Sequence, residues 1–503
     1  MYIVHLTTEL APIAKVGGLG DVTAGLSKAL KEEGEKVEVI LPFYDHIPRK
    51  KLNNLKVDME GLISYEDMTP CKNTIWSAEY EGTPLLLIEP HEASHYFKRG
   101  VIYGEEDDLL RFTYFTKTAI EYLLKREKHP DILNLHDWLT TLAAPLYYEM
   151  YQPQGLKIGG LITTIHNMKH QGVCSPEKLD RMGLHTKHLL KQDKLQDHSK
   201  PEKLNLLKGG LVYSDFLTTV SPTYSKEIQG KEGFGLEYIL KQRKEKLKGI
   251  LNGIDTSYWS PETDPFIEKN YSTDGKDLNE VEKAKLENRK VLYSKLKMDY
   301  DPALLFTCIS RLVQQKGPEM IRFGIEYVLE KGGKFILLGS TPEPNLKAEF
   351  HALAEEYRDN PHVHFHFLFD EKLAHLTYAA ADCILVPSLF EPCGLTQMIA
   401  LRYGTIPIVH KVGGLNDTVF DIDHDELPVE KRNGYTFDFP SVDSLRWSID
   451  RAFEHHKNDK KKWHTMQRNG FARDWSWKVP AKEYLELYRS IIPASRNKAS
   501  SPI

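Results

Sequence analysis

Cysteine is scarce in this chain. Only Cys71, Cys174, Cys308, Cys383 and Cys393 occur, odd in number, scattered, and never in a C-x-x-C pair. That excludes a disulfide-stapled scaffold and a zinc ribbon and points to a reducing compartment. Long apolar runs are missing too: none approaches the ~20 residues of a membrane span. The N-terminal Met1 to Leu6 enters polar residues with no basic n-region and too short an apolar stretch for a secretory signal. The cytoplasm is the expected location, or a plastid only if a transit peptide has been removed. Excess charge of one sign is also lacking, with 66 basic against 71 acidic residues and a net charge of −5. Such a chain has no overall electrostatic reason to seek nucleic acid or an anionic membrane, so any polyanionic ligand must be met by a few local cations. What is there is ordinary globular material, 41% apolar and 27% charged. At 503 residues it is too long for one domain, so two of roughly 200 to 250 residues are expected.

Taken in order, Tyr2 to Leu6 reads as a buried strand, followed by a loop to Gly20 and a helix with Asp21 at its N-cap. Val37 to Leu41 is the next strand, so the unit is βαβ with K-V-G-G-L-G-D (Lys15 to Asp21) at its first turn, where open parallel sheets bind ligands. Short apolar runs follow at Leu85 to Ile88, Ile132 to Leu135, Leu161 to Ile165 and Phe216 to Val220, with a clear helical pattern from Leu109 to Leu124. Two of these strands end in chemically loaded tips, around His136-Asp137 and His166-Asn167. The polar stretch from Pro261 to about Asn288 marks a domain boundary near Ile254 to Pro261. A second alternating series then runs through Leu304 to Ser310, Phe335 to Leu338, Val363 to Phe369, Asp382 to Val386 and Thr405 to Val409. It repeats the architecture of the first, and Lys411 to Leu415 copies Lys15 to Leu19 letter for letter. The expected domains are 1–254, 255–477, and a C-terminal helix with a frayed tail over 478–503 that crosses back to the first.

The richest chemistry lies between Pro387 and Val419, where Glu391 precedes a helix opened by Gly394 and a second glycine loop follows within about 25 residues. A glycine ahead of unpaired helix N–H groups is an anion site, though a glycine pair is as readily a tight turn. Arg311 and Lys316 place two cations five residues apart just after a strand, suited to clamping a diphosphate, or a basic loop with a capping glycine. His166 and His170 have the spacing of a helical metal pair, but no Glu follows His166 as H-E-x-x-H requires. Asp421, Asp423 and Asp425 contain a D-x-D spacing within a charged run that reads as a solvated loop. The Lys- and His-rich segment from Lys187 to Lys203 reads as an exposed flap. No metal and no cofactor are therefore expected.

The string FEPCGLTQMIALRYGTIPIVHKVGGLNDTV, from Phe390 to Val419, resembles the motif of bacterial glycogen synthases and plant starch synthases. TELAPIAKVGGLGDV, LHDW, TIHN, TTVSPTYSKEI, GFGL, LNGID, SRLVQQKG, ADCILVPS and DWSW fall in that family's order, from about Thr8 to Trp477. The resemblance implies an α/β chain of the GT-B fold, two Rossmann-like doubly wound domains facing across a deep interdomain cleft. It implies a retaining enzyme that transfers glucose from ADP-glucose to the non-reducing end of an α-1,4-glucan such as glycogen. Lys15, Gly17, Gly18 and Asp21 would then serve the donor from the first domain. Arg311 and Lys316 would hold the diphosphate, the Gly394, Leu395 and Thr396 amides would complete the cradle beside Cys393, and Glu391 would bond the glucose hydroxyls. His166 and Asn252 would lie beside the sugar, Asp137 would line the acceptor side, and Phe369 would stack on the base. The catalytic set implied is Glu391, His166, Asp137, Lys316 and Arg311. Where many retaining GT-B enzymes carry a second Glu eight positions after the first, this chain has Ile399, a departure shared with starch synthases. UDP-glucose is the alternative donor. The rivals are a transferase making a disaccharide, a pyridoxal phosphate-dependent phosphorylase, and a non-catalytic glucan-binding protein on the same scaffold.

Overall fold

A computed structural model describes residues 1–275, 277–368 and 370–492. Phe369 and the tail from Ala494, for which stacking and fraying were expected, lie outside the described residues. The chain divides into two compact units: Met1–Gly253 joined by the segment from Trp477 onward, and Ile254–Ser476.

The first unit is built on nine strands. They are β1 (Tyr2–Leu6), β2 (Lys36–Pro42), β3 (Asn53–Glu66), β4 (Thr69–Tyr80), β5 (Thr83–Pro90), β6 (Ile132–His136), β7 (Gly160–Ile165), β10 (Phe216–Thr219) and β11 (Leu247–Gly249). A separate ribbon pairs β8 (Val173–Cys174) with β9 (Leu204–Asn205). The order across the sheet is β11-β10-β7-β6-β1-β2-β5-β4-β3, parallel except that β4 runs against both its neighbours. β6 and β7 are buried at every position, as strands covered on both faces must be.

The hairpin β3–β4 has no counterpart among the expected strands. β3 is exposed on much of both faces and slips register three times against β4, so no period of two survives in its sequence. Its turn is made by Asp67 and Met68, both at positive φ (47° and 63°), in place of an Asn-Gly or Asp-Gly pair. The segment from Lys187 to Lys203 is largely exposed, as expected, but it is anchored: its own Leu189 and Leu195 are buried and Lys194 pairs with Glu149 at 2.7 Å.

The C-terminal helix, Lys478–Ile491, packs on the first unit. Its Tyr484, Leu485, Leu487 and Tyr488 join Ile3, Val22, Leu26, Leu30 and Ile132 in one apolar cluster, and Asn134 Nδ2 donates to the Tyr488 hydroxyl at 3.1 Å. Just ahead of that helix the Trp477 indole lies against the first helix, Gly18–Glu32, at Gly25. A Cβ added there would sit 1.9 Å from Trp477 Nε1.

The second unit carries a six-stranded, wholly parallel sheet. Its strands are β12 (Leu305–Ile309), β13 (Lys334–Leu338), β14 (Val363–His366), β15 (Cys383–Val386), β16 (Ile406–His410) and β17 (Tyr435–Phe437), in the order β14-β13-β12-β15-β16-β17. In each sheet the chain starts in the middle, builds one side, then returns to build the other. The reversal falls between β1 and β6 in the first unit and between β12 and β15 in the second. Loops that leave neighbouring strands in opposite directions open a crevice at the strands' carboxyl ends, which is where such sheets hold ligands. No helix among the described residues is long and apolar enough to cross a membrane.

Candidate functional site

In the second unit the loops after β12 and β15 meet at the reversal point. Gly317 adopts φ of +68° and comes so close to the partner loop that a Cβ would lie 2.4 Å from the Pro387 carbonyl oxygen. Leu389 N donates to Gln315 O at 2.8 Å and Gln315 Nε2 to Phe390 O at 3.1 Å. This clamp delivers Lys316 Nζ to the Glu391 carboxylate, which also accepts from Ser388 Oγ at 2.9 Å. Glu391 is only 6% exposed, so the pair is fixed in a poorly solvated place where a charge acts further than in water. Arg311, from the same loop, is exposed and has no ion-pair partner among the described residues. Gly394 at φ of +74° turns the chain into the helix Thr396–Arg402, whose N-cap, Leu395, supplies no side-chain bond to its first amides. Cys393 is buried, and its carbonyl accepts from Gln397 Nε2 at 3.2 Å.

The second glycine loop is structural. Gly414 N donates to the Glu391 carbonyl at 3.0 Å, and a Cβ at Gly414 would lie 2.1 Å from the Cys393 carbonyl oxygen. Its task is to press against the Glu391 loop from behind, and Lys411 points to Asp438 at 3.5 Å. The D-x-D run is likewise not the solvated loop its charge suggests. Asp421 takes both Arg451 guanidinium nitrogens (2.7 and 2.9 Å), and Asp423 takes Arg451 at 3.0 Å and Lys462 at 2.6 Å. Burial alone would raise the two carboxylates, but these cations outweigh it and hold both below the usual carboxylate value.

In the first unit the loop after β1 is organised by Glu9. Its buried carboxylate accepts from Val16 N at 2.6 Å and Gly17 N at 2.9 Å, so the Gly17 amide is already engaged and is not free for a phosphate. What Gly17 leaves is space, since a Cβ there would meet nothing within 4 Å. The helix begins at Gly18, with Gly17 at its N-cap. Asp21 is therefore inside the first turn and not the cap, and it accepts from Lys15 Nζ at 2.8 Å. Both Lys15 and Gly18 are exposed.

On the other side of that sheet's reversal point, β6 ends at His136 and Asp137 follows it. Asp137 takes φ of +55° and turns its Oδ1 onto the amides of His166 (2.7 Å) and Asn167 (3.3 Å), tying the tips of β6 and β7 together. His166 Nε2 lies 2.9 Å from His136 Nδ1, so this nitrogen is not offered to a metal with His170. Among the described residues no group of three or more His, Cys, Asp or Glu could hold a metal ion. Asn252 is buried with its Oδ1 unpartnered.

Glu9, Ser388 and Gln315 were missed as site-builders. All three stand inside the strings that carry the family resemblance, but they act on the backbone or on another side chain, and spacing does not report that.

Burial, with Glu9 nearby, outweighs the two amide bonds and pushes the Asp137 carboxyl up from 3.8 to about 7. The folded chain thus keeps a proton that the unfolded chain releases, so ionising Asp137 costs the fold stability as pH rises from 3.8 to about 7. Asp137→Asn retains an amide-accepting oxygen without that cost. Thermal melts should show the variant gaining on wild type through this window and keeping a constant lead above it; a lead independent of pH would show that Asp137 is ionised throughout.

Residues 2–242 match the family model described as starch synthase catalytic domain, and residues 297–471 the one described as glycosyl transferases group 1. A glycogen synthase from Protochlamydia amoebophila is 46% identical over 497 residues, covering 98% of this chain and 99% of that protein. A probable starch synthase 4 of Arabidopsis thaliana chloroplasts and amyloplasts is 44% identical, covering 99% of this chain and 47% of that longer protein. The solved catalytic domain of starch synthase IV from Arabidopsis thaliana, bound to ADP and acarbose, superposes with a TM-score of 0.92 at 44% identity, covering 98% of this chain and 99% of that one. With the two reversal points already placing Lys316 beside Glu391 and Asp137 beside His166, these likenesses make the chain a member of the glycogen and starch synthase family, glycosyltransferases of the GT-B fold.

Proposed function

We propose that this protein lengthens an α-1,4-glucan, transferring glucose from ADP-glucose to the 4-hydroxyl at a non-reducing end with retention of configuration. The observation that carries this reading is the Lys316–Glu391 pair, fixed at the reversal point of the second sheet by the strings that carry the resemblance to glycogen and starch synthases. A diphosphate leaving an anomeric carbon leaves an oxocarbenium-like centre behind, so the work lies in aiming cations at the departing charge. Lys316 and Arg311 do this, with the amides of Gly394, Leu395 and Thr396, while the second oxygen of Glu391 bonds sugar hydroxyls. In the first unit Lys15, Gly18 and the open side of Gly17 receive donor phosphate and sugar, Asp21 holds Lys15, His166 and Asn252 border the sugar, and Asp137 orders the acceptor side.

The decisive measurement is the initial rate with ADP-glucose against UDP-glucose on a glycogen primer, with the products sized. Chain growth that is faster with ADP-glucose is expected; faster growth with UDP-glucose, or a disaccharide product, would overturn the assignment. The reaction is proposed to need no metal, because the aspartates that a divalent cation would take, Asp421 and Asp423, are held by Arg451 and Lys462. Dialysis against EDTA should leave the rate unchanged, and loss of activity that Mg²⁺ restores would count against this.

A further inference from the structure

Three buried histidines stand in a line across three neighbouring strands of the first sheet. His5 lies in β1, His136 ends β6, and His166 follows β7. His5 Nδ1 is 3.0 Å from His136 Nε2, and His136 Nδ1 is 2.9 Å from His166 Nε2. At the inner end His5 Nε2 is buried with no hydrogen-bond partner. At the outer end His166 is 9% exposed, and no described residue engages its Nδ1. Burial lowers His5 and His166 to about 3 and His136 well below its usual value, so all three rings are neutral and carry one N–H each.

Two N–H···N bonds in a line of three neutral imidazoles can run in only two directions. If they run outward, His5 and His136 both donate from Nδ1, His166 accepts at Nε2, and the proton of His166 must sit on Nδ1. If they run inward, every proton sits on Nε2, and the innermost N–H, on His5, is buried with nothing to donate to. An orphaned buried N–H is rarer and costlier than an orphaned acceptor lone pair. The outward direction is therefore favoured, and the inner end of the line decides the state of the outer end.

We infer that His5 and His136 are positioning residues that lock His166 in its Nδ1–H form, so that it meets the transferred sugar as a fixed hydrogen-bond donor to an acceptor oxygen. The inference rests on the reading that places His166 beside the sugar. It adds a reason why two fully buried imidazoles stand where an apolar sheet core would accept leucine. A solvated imidazole favours the Nε2–H form, so a solitary His166 would present mainly a lone pair at this position.

The test is a long-range ¹H–¹⁵N correlation spectrum of the full-length protein labelled at histidine, assigned by single substitutions. His166 is expected to show a protonated Nδ1 and a bare Nε2; the opposite pattern overturns the inference. His136→Phe removes both bonds, and His166 should then move toward Nε2–H while kcat falls about tenfold, the worth of one uncharged hydrogen bond, with a smaller change in donor KM. His136→Asn can still donate to His166 Nε2 and should restore both readouts, which a role in packing alone would not predict. An unchanged tautomer in His136→Phe overturns the lock. A changed tautomer with unchanged kcat overturns the donor role of His166, and leaves the transfer reaction itself to the donor comparison above. Should His136→Phe not fold, His5→Phe gives the same reading, because it frees the line to run inward.

Discussion

Lys316→Ala is expected to lower turnover by roughly 10²- to 10³-fold, the usual result of deleting one preorganised charge from a site that stabilises a departing anion. Lys316 does not wander: Gly317 is clamped to the Pro387 carbonyl, and the ammonium rests on Glu391. Its aim therefore exists before any ligand arrives, which is the condition for a large effect. Deletion has a second consequence, because it leaves Glu391 buried beside Ser388 with no cation. A fold made less stable by an unpaired buried carboxylate could imitate a lost catalytic group. Lys316→Ala with Glu391→Ala separates the two. The double variant should regain the melting temperature lost by the single one and regain no turnover. Near-wild-type kcat in Lys316→Ala with saturating donor would remove Lys316 from the machinery. Arg311→Ala should cost turnover by a similar order with no change in the melt, since that side chain is exposed and makes no ion pair among the described residues.

Gly25→Ala should destabilise the first unit by about 1–3 kcal/mol, the common cost of forcing a methyl into a packed core. The new Cβ would lie 1.9 Å from Trp477 Nε1, and the indole is itself buried. In a thermal melt this corresponds to a fall of roughly 2–4 °C per kcal/mol in a unit of this size. Trp477→Ala should also destabilise, by roughly 3–5 kcal/mol, through the cavity it leaves. Combined, the two should cost less than their sum, because the alanine methyl then enters part of the space vacated by the indole. Additive losses would mean that the helix and the indole do not meet.

Much of this architecture could be read in the chain because parallel strands buried on both faces are written as short apolar blocks. β1, β6, β7, β12, β13, β15 and β16 all announced themselves that way. The hairpin β3–β4 did not, since most of β3 faces solvent and its bulges destroy alternation. At the site, Lys316 and Glu391 were both nominated, but their contact depends on Gly317 and Gln315 bringing two loops 75 residues apart together. Asp21 illustrates the opposite error. Asp21 is a capping residue type ahead of an apolar helical pattern, but the cap is Gly17, four residues earlier, and Asp21 falls inside the first turn. The two K-V-G-G-L strings show the limit of a repeated motif. One opens a helix next to exposed Lys15; the other spends its Gly414 on the Cys393 backbone, and only packing distinguishes them.

The chain enters the second unit after Gly253 and leaves it before Trp477, and the two crossings are hydrogen-bonded to each other through Ile254 N and Trp475 O at 2.7 Å. The second unit is thus an insertion, and the surface formed by Gly25, Val22 and Leu26 waits for residues translated some 220 positions after the rest of its unit. During synthesis the later half can close on itself while the earlier half still shows an apolar stripe. Birth order and completion order are therefore reversed: the half that emerges first from the ribosome is the half that finishes last.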